Sequence, residues 1–318
     1  MNINLLAENL TNPALLFFIL GIVAVYLKSD LAIPPNSSKF ISLYLLFAIG
    51  FKGGQELSHE VFTLEILWAM LFGVGLALLI PLYVFFILRK KFNVYDSGAI
   101  AAAYGSVSAV TFVTAASYLE LQGQQLTGHM VAIMALMESP AIIAGLILIS
   151  IFSKEDSSVS KRSVIHHSLT NGSVLLILGS LIIGYLANAE QAQGIKPFTN
   201  DLFKGFLAIF LLDMGIVSGR KLGSLFRRGW FPFAIGIVVP LLNGVAVAFA
   251  SQIVTHNMAD RFIFAVLAAS ASYIAVPAAM KIAAPKANPG FYLPMALGVT
   301  FPLNITLGFP LYYLVAGL

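Results

Sequence analysis

Long apolar stretches recur along this 318-residue chain, most of them close to the roughly 20 residues with which a helix crosses a bilayer. Hydrophobic residues make up 59% of the sequence and charged residues 10%, whereas soluble domains carry about 25% charged residues. Backbone polar groups in lipid must pair internally, which leaves helical bundles or closed barrels. Because the runs are uninterrupted, unlike the alternating strands of about ten residues in barrels, they predict an all-α membrane protein.

We place ten transmembrane helices on these runs. The predicted spans are 12–27, 38–55, 62–88, 96–119, 127–152, 169–188, 199–218, 229–254, 261–283 and 290–316. The fourth and ninth spans are the least hydrophobic and the richest in Ala, Ser and Gly, so we expect these two helices to be broken.

Basic residues are distributed unevenly between the two sides that the spans define. Fourteen of the 18 Lys and Arg residues fall in or beside the connections 28–39, 89–95, 153–168, 219–228 and 281–289. Because basic loops stay in the cytoplasm, this pattern predicts a plasma (inner) membrane protein with both termini extracytoplasmic. The asymmetry accounts for the net charge of +4, so no nucleic-acid partner is expected.

Similar residues recur in the same order at nearly one offset. Asp96 and Asp260 are 164 positions apart, and Gly50 and Gly215 are 165 positions apart. An odd number of spans precedes the central connection, so the second copy would enter the membrane upside down. We therefore predict two inverted repeats of five helices each.

The repeats define the predicted domain organisation. Residues 1–152 form the first five-helix repeat and residues 169–318 form the second, inverted one. The polar, Ser-rich stretch 153–168 is too short for a domain and is predicted to be a cytoplasmic linker.

Each of the two spans expected to be broken contains a Ser-x-Ser motif, Ser106-Val-Ser108 in the fourth and Ser270-Ala-Ser272 in the ninth. Glycine tolerates irregular backbone and serine competes for backbone hydrogen bonds, so the first broken helix should restart near residues 109–111. Pro277 suits the first turn of the second restarted helix, preceded by non-helical residues 270–276.

A helix start exposes free N–H groups and a partial positive charge. Two such starts that cross near the midplane from opposite directions make a site for a small anion. The alternative is structural, with serines that bond back to a carbonyl of the preceding turn and let helices pack closely. The predicted substrate-binding residues are Gly105, Ser106, Val107, Ser108, Ala109, Ser270, Ala271, Ser272, Tyr273 and Pro277.

Two carboxylates lie far from the predicted loops, Glu138 in the fifth span and Asp213 in the seventh. An unpaired carboxylate in lipid is costly, so each is a functional candidate; the alternative is a neutral, hydrogen-bonded acid that holds helices together. Sodium prefers carboxylate, hydroxyl and carbonyl oxygens. The predicted sodium-binding residues are Thr111, Glu138, Ser139, Thr300 and Asn304, and Asp213 is a further intramembrane acid.

Signatures of other functional classes are missing from the sequence. The histidines lack the spacing of metal ligands, so no transition metal is expected. A phosphate-binding Walker loop is absent, which argues against an ATP-driven pump. Because no nucleophile and base lie at one depth, we predict that the protein is not an enzyme and uses no cofactor besides a coupling ion.

Three segments carry a resemblance to a known family: Gly105-Ser-Val-Ser-Ala-Val-Thr111, Met137-Glu-Ser-Pro140 and Ala268-Ala-Ser-Ala-Ser-Tyr-Ile-Ala-Val-Pro277. The chain resembles the sodium-dependent bicarbonate transporters of the SbtA type over nearly its whole length. This resemblance implies sodium symport of bicarbonate, a homotrimer whose core slides against a scaffold, and a cytosolic PII-like regulator. The chain has Glu138 where the family has Asp, and it departs from the family pattern at three further places. The family has Gly-Ser at Ala109-Val110, Asp at Tyr273 and Ser-Gly-Pro-Pro at Ala275-Val-Pro-Ala278.

We therefore predict a secondary active transporter that takes up bicarbonate or a similar small anion together with sodium, by alternating access. One alternative is a proton- or sodium-coupled carrier of a small organic acid. Another is an anion channel or receptor without coupling, although channels show rings of charge or of carbonyls around a continuous pore.

Overall fold

The structure, a computed structural model, describes residues 11–153, 172–226 and 229–318. Every regular element in these three ranges is helical, which confirms the all-α prediction. The helices are α1 (Pro13–Tyr26), α2 (Pro35–His59), α3 (Leu64–Leu88), α4 (Val94–Gly105), α5 (Ala109–Leu121), α6 (Gly128–Phe152), α7 (Gly172–Leu186), α8 (Ala189–Lys196), α9 (Phe203–Phe226), α10 (Trp230–Ala250), α11 (Met258–Ala269), α12 (Ala275–Ala283) and α13 (Pro289–Ala316), the last with two π-helical stretches. The predicted linker 153–168 lies outside the described residues, apart from Ser153.

Within the described part of the chain, six helical segments have the length and apolarity needed to cross a membrane. They are Leu64–Leu88, Val94–Leu121, Gly128–Phe152, Ala189–Gly223, Trp230–Ile253 and Pro289–Ala316. The helices at the first and sixth predicted spans, α1 and α7, are apolar but only 14 and 15 residues long. The larger number of ten spans, with its repeats, therefore stays a prediction.

Side chains at the helix starts explain several helix boundaries. Asn93 accepts a hydrogen bond from the backbone N–H of Asp96 at 2.8 Å, and Asn257 accepts one from that of Ala259 at 2.8 Å. Such caps satisfy N–H groups that have no partner within the helix. Asn188 opens a capping box that starts α8. The predicted spans omitted α8 because it is polar and has no buried residue.

Two helix pairs pack closely enough for their backbones to touch, α1 with α9 and α2 with α7. A Cβ atom at Gly21 would collide with the carbonyl oxygen of Leu212, and one at Gly54 would collide with that of Leu181. Small residues at these crossings maximise van der Waals contact, which is the main attraction between helices in lipid.

The remaining helices surround the two that precede the Ser-x-Ser motifs. α3 packs on α4 and α6, while α10 packs on α11 and α13. All residues 96–105 of α4 and 259–269 of α11 are buried. Large apolar side chains such as Leu79 and Leu242 are instead exposed on the outer helices, as expected for a surface in contact with lipid. The two motifs therefore lie inside the protein.

Candidate functional site

The first Ser-x-Ser motif interrupts a helix, as predicted. α4 ends at Gly105, Ser106 and Ser108 have extended backbone, and α5 begins at Ala109. A Cβ atom at Gly105 would collide with the ring of Pro81 in α3, so the close approach of these two helices requires glycine. We call residues 106–108 the first break.

The second motif interrupts the other helix, but over a shorter stretch than predicted. α11 ends at Ala269 and α12 begins at Ala275, so residues 270–274 form the second break. The prediction of non-helical backbone up to residue 276 was wrong by two residues. Pro277 is the third residue of α12, a first-turn position where its missing N–H leaves no intrahelical hydrogen bond unmade.

The two breaks are in direct contact. The backbone N–H of Ser108 donates a hydrogen bond to the hydroxyl oxygen of Ser270 at 3.0 Å. The backbone N–H of Ser272 donates to the carbonyl oxygen of Ala103, at the end of α4, at 2.8 Å. The intervening Val107 and Ala271 are buried as well. Two segments about 160 residues apart in sequence thus form one buried polar cluster.

The four serine hydroxyls play two different roles. Those of Ser106 and Ser270 donate to backbone carbonyls, of Glu138 at 3.3 Å and of Leu267 at 2.9 Å. Those of Ser108 and Ser272 instead accept from backbone N–H groups of the helices that follow them. Neither of these two hydroxyls donates its proton to a backbone carbonyl, although that of Ser108 interacts with the Tyr273 side chain, so Ser108 and Ser272 are the better anion ligands. Only Ser270 bonds back to the preceding turn, as the structural alternative supposed.

Tyr273 borders this cluster. Its hydroxyl lies 3.8 Å from the sulfur of Met214 in α9 and within interaction range of the Ser108 side chain. Its ring packs edge-on against Phe301, with 6.3 Å between the ring centroids. The residue also lines a cavity of about 470 Å³, described below. Tyr273 therefore stands between the serines and an open space.

Glu138 lies beside the first break, because its carbonyl oxygen accepts the hydrogen bond from Ser106. Its side chain is buried, and among the described residues no hydrogen bond or ion pair to its carboxyl group is found. Thr111 and Ser139, which the sequence grouped with it, are also buried. A buried carboxylate without a partner is a strong ligand for a cation and an unfavourable group when left alone.

Thr300 and Asn304, the other predicted sodium ligands, have structural partners elsewhere. The Thr300 hydroxyl bonds to the Gly236 carbonyl at 2.9 Å and to the Tyr104 hydroxyl at 2.7 Å. The Asn304 amide donates to the carbonyl of Ala269, directly before the second break, at 2.8 Å. The Asn304 contact holds the second break in position, whereas the Thr300 contacts join α13 to α4 and α10. None of them joins either residue to Glu138.

Asp213 lies in α9 at the edge of the cavity. It accepts a hydrogen bond from the Ser38 hydroxyl of α2, and Arg220 is near enough to interact electrostatically. The cavity is also lined by Lys39 of α2 and by Tyr273. The acid is therefore paired, unlike Glu138, and the two predicted intramembrane carboxylates have different environments.

The sequence analysis found the pair Asp96 and Asp260 but not what these residues do. Asp96 accepts from the backbone N–H of Asn288, the residue before α13, at 2.7 Å. Asp260 accepts from the hydroxyl of Thr127, the residue before α6. Each aspartate thus holds the start of a helix from the other half. The sequence signal that could have indicated this role is the equal spacing of the two aspartates from the asparagines that cap their helices. Asp96 comes three positions after Asn93, and Asp260 comes three positions after Asn257.

His129 forms a second interaction that the sequence did not indicate. Its ring nitrogens lie 2.8 Å from a carboxylate oxygen of Glu60 and 3.3 Å from one of Asp260. Within the described ranges, no group of three or more His, Cys, Asp or Glu side chains is arranged to hold a metal ion. The cluster therefore joins α2, α6 and α11 by charge and hydrogen bonds.

Comparison with known proteins gives one family. The profile of the Na⁺-dependent bicarbonate transporter superfamily matches residues 13–317, nearly the whole chain, and includes both breaks and Glu138. No curated protein matches the sequence. This match, together with the apolar helices, shows that the chain belongs to the Na⁺-dependent bicarbonate transporter superfamily and is a multi-pass membrane transporter rather than an enzyme.

Proposed function

We propose that the protein is a secondary active transporter that couples sodium entry to the uptake of bicarbonate or a similar small anion. The observation that carries this proposal is the hydrogen bond between the Ser108 backbone and the Ser270 hydroxyl, because it joins two helix interruptions into one buried polar site. Discontinuous helices that meet inside the membrane are typical of secondary transporters.

The architecture we propose is ten helices in two inverted repeats, residues 1–152 and 169–318, with 153–168 as the cytoplasmic linker. Reciprocal contacts support it. α1 pairs with α9 as α7 pairs with α2, and Asp96 reaches the start of α13 as Asp260 reaches the start of α6. Exchanging the two halves converts each contact into its partner, as a two-fold axis in the membrane plane would.

We assign the closely packed pairs, α1 with α9 and α2 with α7, to a scaffold, and the helices around the breaks to a core that slides against it. The glycine contacts at Gly21 and Gly54 support a rigid scaffold, because backbones in direct contact leave little room for adjustment. By family resemblance we propose a homotrimer in the plasma membrane and a PII-like cytosolic regulator, with both termini extracytoplasmic.

The anion would bind between the breaks. The hydroxyls of Ser108 and Ser272 accept from backbone N–H groups and do not donate to a backbone carbonyl, so their protons can be donated to the anion. The starts of α5 and α12 add partial positive charge. Gly105, Ala109, Ala271 and their neighbours would contribute backbone to the same pocket. A monovalent oxyanion is matched by such a neutral set of donors, which binds it without a fixed positive charge.

Sodium would bind at Glu138, with oxygens of Thr111 and Ser139 and with nearby backbone carbonyls. The burial of this carboxyl group, for which the described residues provide no hydrogen-bond or ion-pair partner, supports this assignment. Sodium offsets negative charge beside the anion, so that the loaded core moves past lipid at lower cost than a core that carries the anion without sodium. Each ion then raises the affinity for the other, which is the thermodynamic basis of coupled transport.

A proton-coupled carrier of a small organic acid is the second candidate. It is favoured by one observation, the absence of any described hydrogen-bond partner for the Glu138 carboxyl group, since a proton can neutralise a buried carboxylate as sodium does.

Uptake of labelled bicarbonate, and in parallel of a labelled small organic acid such as lactate, into proteoliposomes tests the two candidates. We expect accumulation driven by an inward sodium gradient, and none when choline or potassium replaces sodium. Accumulation of the labelled organic acid under an inward proton gradient in sodium-free buffer, absent from protein-free liposomes, would select the second candidate. Equilibration of both labelled substrates without accumulation under either gradient would rule out both coupled candidates.

A further inference from the structure

A cavity of about 470 Å³ separates α2 from α9 next to the second break. Its polar wall includes Ser42 and Lys39 from α2 and Asp213 and Arg220 from α9. Lys39 and Arg220 belong to the basic residues that the charge asymmetry assigns to the cytoplasmic side. The cavity is therefore a candidate for the cytoplasmic route to the buried serines.

Exposure falls abruptly across Tyr273. Ile274, which lines the cavity, is 41% exposed, whereas Ser272 and Ser108 on the other side are 2% and 3% exposed. The Tyr273 side chain reaches both regions, because it lines the cavity and its hydroxyl is within interaction range of Ser108. The ring is the side chain that lies between the cavity and the serine pair.

The contacts that hold this ring are weak. They are the edge-on packing against Phe301, the 3.8 Å approach of the hydroxyl to the Met214 sulfur and the interaction of the hydroxyl with the Ser108 side chain. Sulfur is a poor hydrogen-bond acceptor. Met214 belongs to α9 in the proposed scaffold, and Tyr273 belongs to the proposed core, so sliding of the core would break this contact. A rotation about the side-chain bonds would then move the ring out of the path.

We infer that Tyr273 is the cytoplasmic gate of the anion site, an assignment that rests on the proposed function. The aromatic ring closes the path between the serines and the cavity, while the neutral hydroxyl adds no negative charge that would repel a departing anion. The blocking group is the ring and not the hydroxyl.

Cysteine labelling tests the gate directly, because the chain contains no cysteine and any introduced thiol is unique. In inside-out vesicles, the Ser108→Cys variant is treated with the anionic, membrane-impermeant reagent sulfonatoethyl methanethiosulfonate. We expect slow modification when Tyr273 is present and a rate at least about tenfold higher after Tyr273→Ala, since a gated state is open only about 10% of the time or less. Tyr273→Phe should keep the slow rate.

A cysteine in the cavity provides the matched control. Ser42→Cys should react quickly and at one rate with Tyr, Phe or Ala at position 273, which shows that the cavity and the fold are intact. Tyr273→Leu serves as a second opening variant, used if Tyr273→Ala alters the Ser42→Cys rate. Equal modification of Ser108→Cys with and without the ring, whether fast or slow, would overturn the gate.

The labelling result and the proposed function fail in different ways. Labelling measures access to the cysteine and does not require transport. If the Tyr273 ring slows the modification of Ser108→Cys but uptake does not depend on sodium, the gate assignment stands and the proposed sodium coupling is wrong. If the modification rate does not depend on the Tyr273 ring but uptake is driven by sodium, the gate assignment is wrong and the proposed transport function stands.

Discussion

The Ser270 hydroxyl accepts a hydrogen bond from the backbone N–H of Ser108 at 3.0 Å, across 162 positions of sequence. This contact uses the Ser270 hydroxyl and the Ser108 backbone, so it does not engage the Ser108 hydroxyl, which interacts with Tyr273 and is proposed to donate to a ligand. The division of the four serines into those that support the breaks and those that can bind an anion follows from such differences.

Ser108→Ala and Ser272→Ala should each weaken anion binding. A hydrogen bond to a charged group contributes about 1.5–3 kcal/mol, so we expect the half-saturating bicarbonate concentration in proteoliposome uptake to rise about tenfold or more. Ser106→Ala is the control, because the Ser106 proton is already donated to the Glu138 carbonyl. A similar loss of affinity in all three variants would contradict the distinction between the serines.

Glu138→Gln should abolish the dependence of uptake on sodium, because the amide keeps the size of the side chain and loses the charge that binds the cation. We expect bicarbonate uptake at saturating sodium to fall at least about tenfold, equivalent to about 1.4 kcal/mol. Glu138→Asp should retain sodium dependence at a lower affinity. Asp213→Asn is the comparison, since Asp213 is paired with Ser38 and lies outside the proposed sodium site. Sodium-driven uptake by Glu138→Gln would exclude the assignment.

Gly105→Ala should destabilise the protein, because the added methyl group would collide with the ring of Pro81. Overpacking of this kind costs about 1–3 kcal/mol. Gly75→Ala in α3 is the matched control, since a Cβ atom there meets nothing within 4 Å and alanine favours helix over glycine by about 0.5–1 kcal/mol. The midpoint of thermal unfolding in detergent should fall for the first variant and stay level or rise for the second.

Glu60, which follows α2, should make the free energy of unfolding depend on pH. Burial by itself would raise the pKa of Glu60, but the hydrogen bonds and charge of His129 and the N–H of Gly128 outweigh burial and hold this pKa below its usual value. Its contribution is therefore complete above the unfolded-state pKa of about 4.3 and is lost as the pH falls through the lower folded-state pKa.

We expect the unfolding midpoint of the wild-type protein to fall as the pH drops below about 5, and Glu60→Gln to unfold at a lower temperature at neutral pH with a shallower acid dependence. Glu65→Gln is the control, because Glu65 is exposed and near in sequence. Parallel pH profiles for the wild type and Glu60→Gln would show that this carboxylate is not responsible.

Local chemistry made the two helix interruptions predictable. Gly105 and the serine motifs weaken a helix wherever it lies, and the restart at Ala109 follows from the ability of Ser108 to cap it. The same reasoning misjudged the second restart by two residues, because proline is accepted at any position in the first turn where no N–H is required.

The register of the proposed repeat was not predictable to better than a turn. The sequence comparison matches Gly50 with Gly215, whereas the contacts give Gly54 and Gly215 equivalent roles, since Gly54 touches Gly184 as Gly215 touches Gly21. The two alignments differ by four residues, about one helical turn. Positions one turn apart face the same side of a helix, so hydrophobicity alone does not separate them.

Composition, charge asymmetry and residue spacing were enough to indicate a helical membrane protein with two polar interruptions, because each of these signals is carried by neighbouring residues. The partners of Asp96, Asp260, Thr300 and Asn304 emerged only from the folded chain. Their contacts join residues far apart in sequence, and such pairs form only when packed helices bring particular side chains to one depth and one face.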